Sequence, residues 1–285
     1  MIGIFASVID GVLVGAVYGL AAMGLTLIWG VMNVINLAHG AMIVLGMFML
    51  YFLASVVGVP AYATIPLVVV VGFLFGVVLY WIAVHRVIGQ PELMSLLSTF
   101  AVSMIVIGFG TALWTTSPYN VPVRVPGITW ESYTFTGTHI MAAILAGVIA
   151  ALLYLLLYHT RVGKAVRAVS GNREAAELTG IPTTQVLAMA FGLGVALAAV
   201  SGALIATLFP FTILSGEAYQ LKAFVVTVLG GLGNPAGALL GGIALGLLEG
   251  MATPFMPVSW IPVLEFVLFV FCLIAYPRGI FAFVR

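Results

Sequence analysis

YATIPLVVVVGFLFGVVLYWIAV, residues 62–84, contains no charged side chain. A helix needs about 20 mostly apolar residues to cross the hydrocarbon part of a bilayer, and this stretch is long enough. Further mostly apolar stretches occupy residues 8–29, 40–57, 95–114, 140–158, 186–209, 223–250 and 260–276. The sequence therefore predicts an all-α fold, a polytopic transmembrane bundle of about eight (8–10) helices in a single domain over residues 1–285.

The composition excludes several classes of protein. Of the 285 residues, 64% are apolar and 6% are charged, and the mean hydropathy is +1.29; soluble domains carry about 25% charged residues. The nine basic residues are scattered and the net charge is +1, so nothing predicts a nucleic-acid partner. The one cysteine, Cys272, leaves no disulfide framework or thiolate metal cluster.

Two apolar regions are interrupted by helix-breaking residues. Residues 218–250 are too long for one simple helix and contain a Gly-rich break that ends in Asn234 and Pro235. Residues 30–40 carry a similar break, so the pair suggests two related halves with broken helices. No Lys or Arg precedes Arg86, so the first stretch lacks the charged start of a secretory signal and is expected to be retained.

Glycines recur at every fourth position near both ends of the chain: Gly11, Gly15 and Gly19, and Gly242, Gly246 and Gly250. This spacing places each set on one helix face and allows close approach of another backbone. Packing within one bundle is the favoured interpretation, and a moving seam or a dimer contact is the alternative.

The connector, residues 159–185, carries the densest positive charge: Arg161, Lys164, Arg167 and Arg173. Basic residues in short loops favour the cytoplasmic side, so we expect the connector inside and the 115–137 loop outside. Arg86, Arg278 and Arg285 then also lie inside, whereas Arg124 and Lys222 do not fit the rule.

The connector also contains start and stop signals for a short helix. Asn172 can cap it, Glu174 lies in its first turn, and Gly180 followed by Pro182 can end it. We expect a separate helix over residues 173–179 outside the membrane. The alternative is a solvated loop whose cations neutralise lipid headgroups.

Three motifs resemble one transporter family. Residues 174–180, EAAELTG, resemble the EAA coupling loop of bacterial ABC importer permeases. Residues 167–181, RAVSGNREAAELTGI, are similar to the coupling segment of the LivH-type branched-chain amino acid permeases (the LivH/LivM family). Residues 30–40, GVMNVINLAHG, and 228–241, VLGGLGNPAGALLG, resemble two further motifs of that family.

The resemblance implies the permease subunit of an ATP-driven importer in the bacterial inner membrane. It implies a second, LivM-like permease, two LivG/LivF-like ATPase subunits that bind ATP and magnesium, and a periplasmic substrate-binding protein. Residues 231–237 lack the Lys and Ser/Thr of a Walker A motif, so we expect no cofactor on this chain. We also expect the chain to be a transport subunit and not an enzyme, with ATP hydrolysed by the separate ATPase subunits. The expected ATPase-coupling residues are Arg173, Glu174, Ala175, Ala176, Glu177, Leu178 and Gly180, with Ala175, Ala176 and Leu178 supplying hydrophobic contact.

Polar residues within apolar stretches are the remaining candidates. Asn33, Asn36 and His39 recur at three-residue spacing and are expected on one side of a helical turn, where they either hydrogen-bond between helices or line the translocation path. His39 has no second His or Cys nearby, which disfavours a metal site. Glu249, with Glu265, Asp10 and Lys222, should face the bundle interior or reach its edge. Glu249 either lines the path or is neutralised, for example by pairing with Lys222.

Other functions remain open on the sequence alone. The same type of importer could carry urea, amides or aromatic acids instead of branched-chain amino acids. An ATP-independent channel or secondary carrier would not need the helix at Glu174. An intramembrane enzyme using His39 is disfavoured because no serine stands in a recognised nucleophile motif.

Overall fold

A computed structural model describes residues 2–130, 133–276 and 279–281. Within these ranges, eight helical segments are long and apolar enough to cross a membrane. They are Phe5–Met32, His39–Val56, Ala61–Val84, Glu92–Trp114, Gly137–His159, Thr183–Ala206, Pro235–Ala252 and Val258–Ala275. The predicted polytopic bundle is confirmed, and the chain is a multi-pass membrane protein.

Eleven α-helices make up most of the described chain. In order, α1 to α11 cover Ile2–Met32, His39–Tyr51, Ile65–Leu79, Glu92–Trp114, Gly137–His159, Arg161–Gly171, Arg173–Leu178, Thr183–Ala206, Gly216–Gly230, Pro235–Ala252 and Ile261–Ala275. π-helical turns extend α2 through Phe52–Val56 and α3 through Tyr80–Val84. Short 3-10 turns cover Ala61–Thr64, Ile213–Ser215 and Val258–Trp260.

Helices α8 and α1 form the centre of the bundle. In α8, 89% of the residues in the most apolar part of the span are buried, and in α1 the share is 78%. In the span that contains α11 it is only 17%. Small residues let the neighbours of α8 approach closely. A side chain on Gly46 of α2 would collide with the backbone of Ala199, and one on Gly76 of α3 would collide with Gly192.

The two glycine faces pack against each other. Each of the six glycines lies against the other helix of the pair: Gly11, Gly15 and Gly19 on α1, and Gly242, Gly246 and Gly250 on α10. A Cβ atom on Gly11 would overlap the carbonyl oxygen of Gly246. Packing within one bundle is therefore confirmed. The dimer-contact alternative is wrong, because both faces are already covered by the same chain.

The long stretch at residues 218–250 is two helices, α9 and α10. Gly231 and Gly233 have positive φ angles of 89° and 80° in the turn between them, and Asn234 caps α10 by accepting a hydrogen bond from the Gly237 amide at 3.1 Å. This turn lies against the end of α1, where the Thr26 hydroxyl accepts a hydrogen bond from the Gly233 amide at 2.9 Å. Gly30, in the first interruption, lies directly against Gly233 in the second, so the two predicted interruptions meet at one end of the bundle.

The 115–137 loop contains the one departure from an all-α fold within the described ranges. Strand β1, Ile128–Trp130, pairs antiparallel with β2, Tyr133–Phe135. Tyr119 and Phe211 exchange backbone hydrogen bonds of 2.8 and 3.0 Å, which ties the loop to the segment after α8.

Of the residues used to predict orientation, Arg278 and Arg285 lie outside the described residues.

Candidate functional site

Helix α6 places the connector against one end of the bundle. It begins at a cap in which the Thr160 hydroxyl accepts a hydrogen bond from the Gly163 amide at 3.1 Å. One side buries Gly163, Val166 and Val169, and the other exposes Arg161, Lys164 and Arg167. The three cations therefore lie together on the exposed side of the helix, as their three-residue spacing favours. Such an amphipathic helix is typical of a segment at the edge of a membrane.

Helix α7 has both predicted ends. The Asn172 side chain accepts a hydrogen bond from the Ala175 amide at 3.0 Å, which caps the first turn. Gly180 has a φ of +84°; its amide donates to the Glu177 carbonyl at 3.0 Å, and the Ile181 amide donates to the Ala176 carbonyl at 3.1 Å. This pair of bonds is a Schellman motif, which needs a left-handed residue that glycine adopts without strain.

Most of α7 faces outward. Leu178 is 90% exposed, and Arg173, Glu174, Ala175, Glu177 and Gly180 are also exposed. Ala176 is only 5% exposed and contributes to the core of the protein. The expectation that Ala176 supplies contact to a partner is therefore wrong, because its side chain faces the bundle. An apolar outward contact is left to Ala175 and Leu178.

The connector is tied directly to the end of α1. The Ser170 hydroxyl of α6 donates a hydrogen bond to the Gly30 carbonyl. Beside this bond lies a cleft of about 950 Å³, lined by the ends of α1 and α5, by α6 and by residues 231–235. A displacement of α6 would thus reach α1 through a direct hydrogen bond, and the α9–α10 turn through the packing of Gly30 against Gly233.

The segment between α1 and α2 is not helical, so Asn33, Asn36 and His39 do not share one side of a helical turn. Asn33 has a φ of +50°, a conformation that asparagine tolerates better than most residues, and its side chain is exposed. Asn36 and His39 are fully buried. The backbone break separates the exposed residue from the two buried ones, and the expected single polar face is wrong.

Asn36 and His39 lie in a polar cluster inside the bundle. The His39 Nε2 atom is 2.9 Å from the Ala21 carbonyl oxygen, and the Gln220 side chain donates to the Asn36 carbonyl at 3.2 Å. Gln220 also accepts a hydrogen bond from the Gly40 amide. Among the described residues, Asn36 Nδ2 and His39 Nδ1 have no hydrogen-bond partner. Sequence reasoning missed Gln220, although it is a polar residue two positions from Lys222 in the same interrupted stretch.

A second, largely buried cluster, here called the charge cluster, consists of Lys222, Glu249 and Glu265. The Lys222 Nζ atom is 2.6 Å from Glu249 Oε1 and also forms an ion pair with Glu265. Glu265 is 1% exposed, and the Lys222 ammonium lies 4.9 Å from the centre of the Tyr18 ring. The proposed pairing of Glu249 with Lys222 is thus present. The charge cluster as a whole joins α9, α10 and α11. Because Lys222 is paired inside the bundle and does not lie in a loop, it does not follow the orientation rule for loops.

Asp10, the remaining charged residue of the apolar stretches, lies 3.2 Å from His139 Nδ1 at the start of α5. Within the described ranges, no group of three or more His, Cys, Asp or Glu side chains could hold a metal ion.

The protein has eight candidate membrane spans, a capped helix exposed at one end of the bundle, and a buried polar cluster at the break between α1 and α2. These are features of a membrane-embedded transport subunit. Comparison with known families gives the particular class. Residues 7–274 match the family described as branched-chain amino acid transport system / permease component, and the chain belongs to this family.

Curated relatives cover nearly the whole chain. The chain is 28% identical to the high-affinity branched-chain amino acid transport system permease protein LivH of Salmonella typhimurium, over 95% of this chain and 93% of that protein. It is 25% identical to BraD of Pseudomonas aeruginosa, over 95% and 94% of the two chains. A probable LivH of Methanocaldococcus jannaschii is 28% identical over 83% and 77%. No solved structure matches the chain significantly.

Proposed function

We propose that this chain is a permease subunit of an ATP-driven ABC importer that carries branched-chain amino acids across the bacterial inner membrane. Family membership makes it a permease component of a transport system. The relatives LivH and BraD are named as permeases of high-affinity branched-chain amino acid transport systems, which supports the solute class.

Helix α7 is the observation that carries the coupling role. A leucine that is 90% exposed on a short helix outside the apolar spans gains stability when a partner covers it. Exposed Arg173, Glu174 and Glu177 beside Leu178 would orient that partner. We assign this surface to an ATPase subunit. The importer would contain two such subunits, one LivG-like and one LivF-like, and these would bind ATP and magnesium. Ala175 contributes a small contact, and Gly180 holds the end of the helix.

We place the solute path beside the polar cluster at Asn36 and His39. A buried polar atom without a partner is costly, so Asn36 Nδ2 and His39 Nδ1 are suited to meet a polar solute or water when the bundle opens. Asn33 is exposed at the start of this segment and would lie at its entrance. Glu249 can take part only when its ion pair with Lys222 opens. A periplasmic binding protein would deliver the solute from the side of the 115–137 loop.

The test is leucine uptake by proteoliposomes that contain the complete complex. The complex is assembled from this chain, the expected LivM-like second permease, two ATPases and the binding protein. We expect uptake to require ATP and binding protein, and to be competed by isoleucine and valine. Uptake without ATP would indicate a channel or secondary carrier and contradict the proposal. Uptake of urea, amides or aromatic acids but not leucine would contradict the proposed solute.

The docking surface can be tested separately with Leu178→Ser. This change should lower copurification of the ATPases, because it removes the exposed apolar contact. Val162→Ser is the matched control, since Val162 is an exposed apolar residue on α6 of the same connector. Equal ATPase recovery with both variants would contradict docking on α7.

A further inference from the structure

A narrow apolar groove runs along the outer surface of the bundle between α5 and α10. Its volume is about 250 Å³, and Gly147, Ala151 and Leu239 are among its lining residues. Gly147 has no atom within 4 Å of an added Cβ position, so the space beside this residue is open. Its apolar lining and outward position suit a hydrocarbon chain better than water.

The groove continues into the polar cleft beside the connector. Leu157, Tyr158 and Pro235 line both the groove and the cleft, so the two spaces adjoin. The cleft adds Arg167 and Ser170 of α6 to the lining. An apolar space between helices therefore leads directly to a cation at the end of the bundle.

Aromatic residues mark the point where the groove meets the cleft. The guanidinium carbon of Arg167 lies 4.6 Å from the centre of the Tyr158 ring. The Tyr158 and Tyr154 rings stack with their centres 4.4 Å apart. Tyrosines at this position are typical of the boundary between hydrocarbon and headgroups. From the groove toward the C-terminal end of α5, the apolar lining is thus followed by the tyrosine pair and then by Arg167 of α6.

The charge at the end of the groove is uncompensated. Arg167 has no carboxylate partner among the described residues, and no acidic residue is found among those lining the groove or the cleft. Arg161 and Lys164 are exposed on the same helix. An anionic group beside an apolar chain therefore complements the site in both charge and polarity.

We propose that an anionic phospholipid, such as phosphatidylglycerol, occupies this site. One acyl chain lies in the groove between α5 and α10, and the phosphate binds Arg167 in the cleft. The lipid belongs to the leaflet on the connector side. Its headgroup lies beside the bond between Ser170 and Gly30, so lipid occupancy stabilises the contact of α6 with α1. The proposal requires only that the chain spans a membrane and does not depend on the transported solute.

Headgroup binding is tested by native mass spectrometry of the full-length chain released from nanodiscs of phosphatidylglycerol or of phosphatidylcholine. We expect phosphatidylglycerol to be retained in preference to phosphatidylcholine. Arg167→Gln should weaken phosphatidylglycerol binding about fivefold, because one basic residue at an anionic surface contributes about 1 kcal/mol. The control is Arg173→Gln, an exposed cation of the same connector that does not line the cleft.

The acyl-chain position is tested by filling the groove with Gly147→Leu. Gly108→Leu on α4 is the matched control, because both glycines are exposed in a helix and have open space around an added Cβ. Only Gly147→Leu should reduce lipid retention.

Four results would overturn the proposal: equal retention of the two lipids, equal effects of the two arginine variants, no effect of Gly147→Leu, or loss of the lipid in the assembled complex. The last result would mean that another subunit covers the groove.

Discussion

Gly180 shows how a single residue can set the geometry of the connector. Its φ of +84° lies in the left-handed region, whereas an added Cβ would meet no atom within 4 Å. Gly180→Val should therefore disturb the end of α7 through backbone strain alone, at a cost of about 1–2 kcal/mol. In the complete complex we expect binding-protein-stimulated ATPase activity to become uncoupled from leucine uptake.

The control for Gly180 is Gly171→Val. Gly171 also has open space around an added Cβ, but its φ is not positive and it ends α6. If Gly180→Val leaves both ATPase stimulation and uptake at the level of Gly171→Val, the coupling role of this helix end is refuted.

Asn36 provides the residue-level test of the solute path. In a variant with Cys272→Ala, which removes the one native cysteine, Asn36→Cys should react with a small aqueous thiol reagent. We expect the rate of labelling to change when the ATPases are trapped with ATP, because the fully buried side chain becomes accessible only in an opened bundle.

Ala203→Cys on α8 is the comparison for this labelling, since Ala203 is also fully buried but belongs to the apolar core. An Asn36→Cys variant that stays as inert as Ala203→Cys in every nucleotide state would remove Asn36 from the path.

At the scale of elements, the charge cluster joins α9, α10 and the peripheral α11. Lys222→Met would leave the carboxylates of Glu249 and Glu265 together without their cation. Removing one partner of a buried ion pair costs roughly 3–5 kcal/mol. We expect a clearly lower thermal unfolding midpoint in detergent, and recovery of most of the loss in the neutral variant Lys222→Met/Glu249→Gln/Glu265→Gln.

The neutral triple variant also separates structure from transport. If the cluster only holds the helices together, this variant folds and transports leucine. If Glu249 contacts the solute, it folds but does not transport. A Lys222→Met protein that unfolds at the wild-type temperature would contradict the stabilising role of the cluster.

At the scale of the whole molecule, we predict a complex with a homologous second permease. The described chain presents one α7, whereas two ATPases that close on ATP need one docking helix each. The glycine faces of α1 and α10 are covered within the chain, so the second permease must contact another surface. Coexpression should yield a one-to-one complex with two ATPases by native mass spectrometry.

Recovery of an active complex with two copies of this chain and no second permease would refute the heterodimer. The control is the same purification after omission of the second permease gene, which should give neither ATPase stimulation nor uptake.

The sequence by itself determined the ends of α7 and, to within three residues, seven of the eight membrane spans. The exception is the expected stretch 223–250, which falls on α9 and α10, and of these only Pro235–Ala252 is a candidate span. Hydropathy is a sum over neighbouring residues, so it can be calculated without knowing the fold. The predicted stretch 62–84, for example, differs from the observed span Ala61–Val84 by one residue at its start. The caps of α7 involve bonds between residues at most five positions apart, from Asn172 to Ala175 and from Ile181 to Ala176. Both signals are local, so the tertiary structure does not change them.

Only the tertiary structure decided which surfaces meet. The glycine face of α1 could have packed on any helix or subunit, and Glu265 could have paired elsewhere, because these contacts join residues far apart in the chain. The same holds for Ala176, whose exposure depends on how the connector lies against the bundle. Asn33, Asn36 and His39 were separated because a backbone break replaced the expected helical turn. Such contacts depend on the packing of the whole bundle, which no local pattern of residue types records.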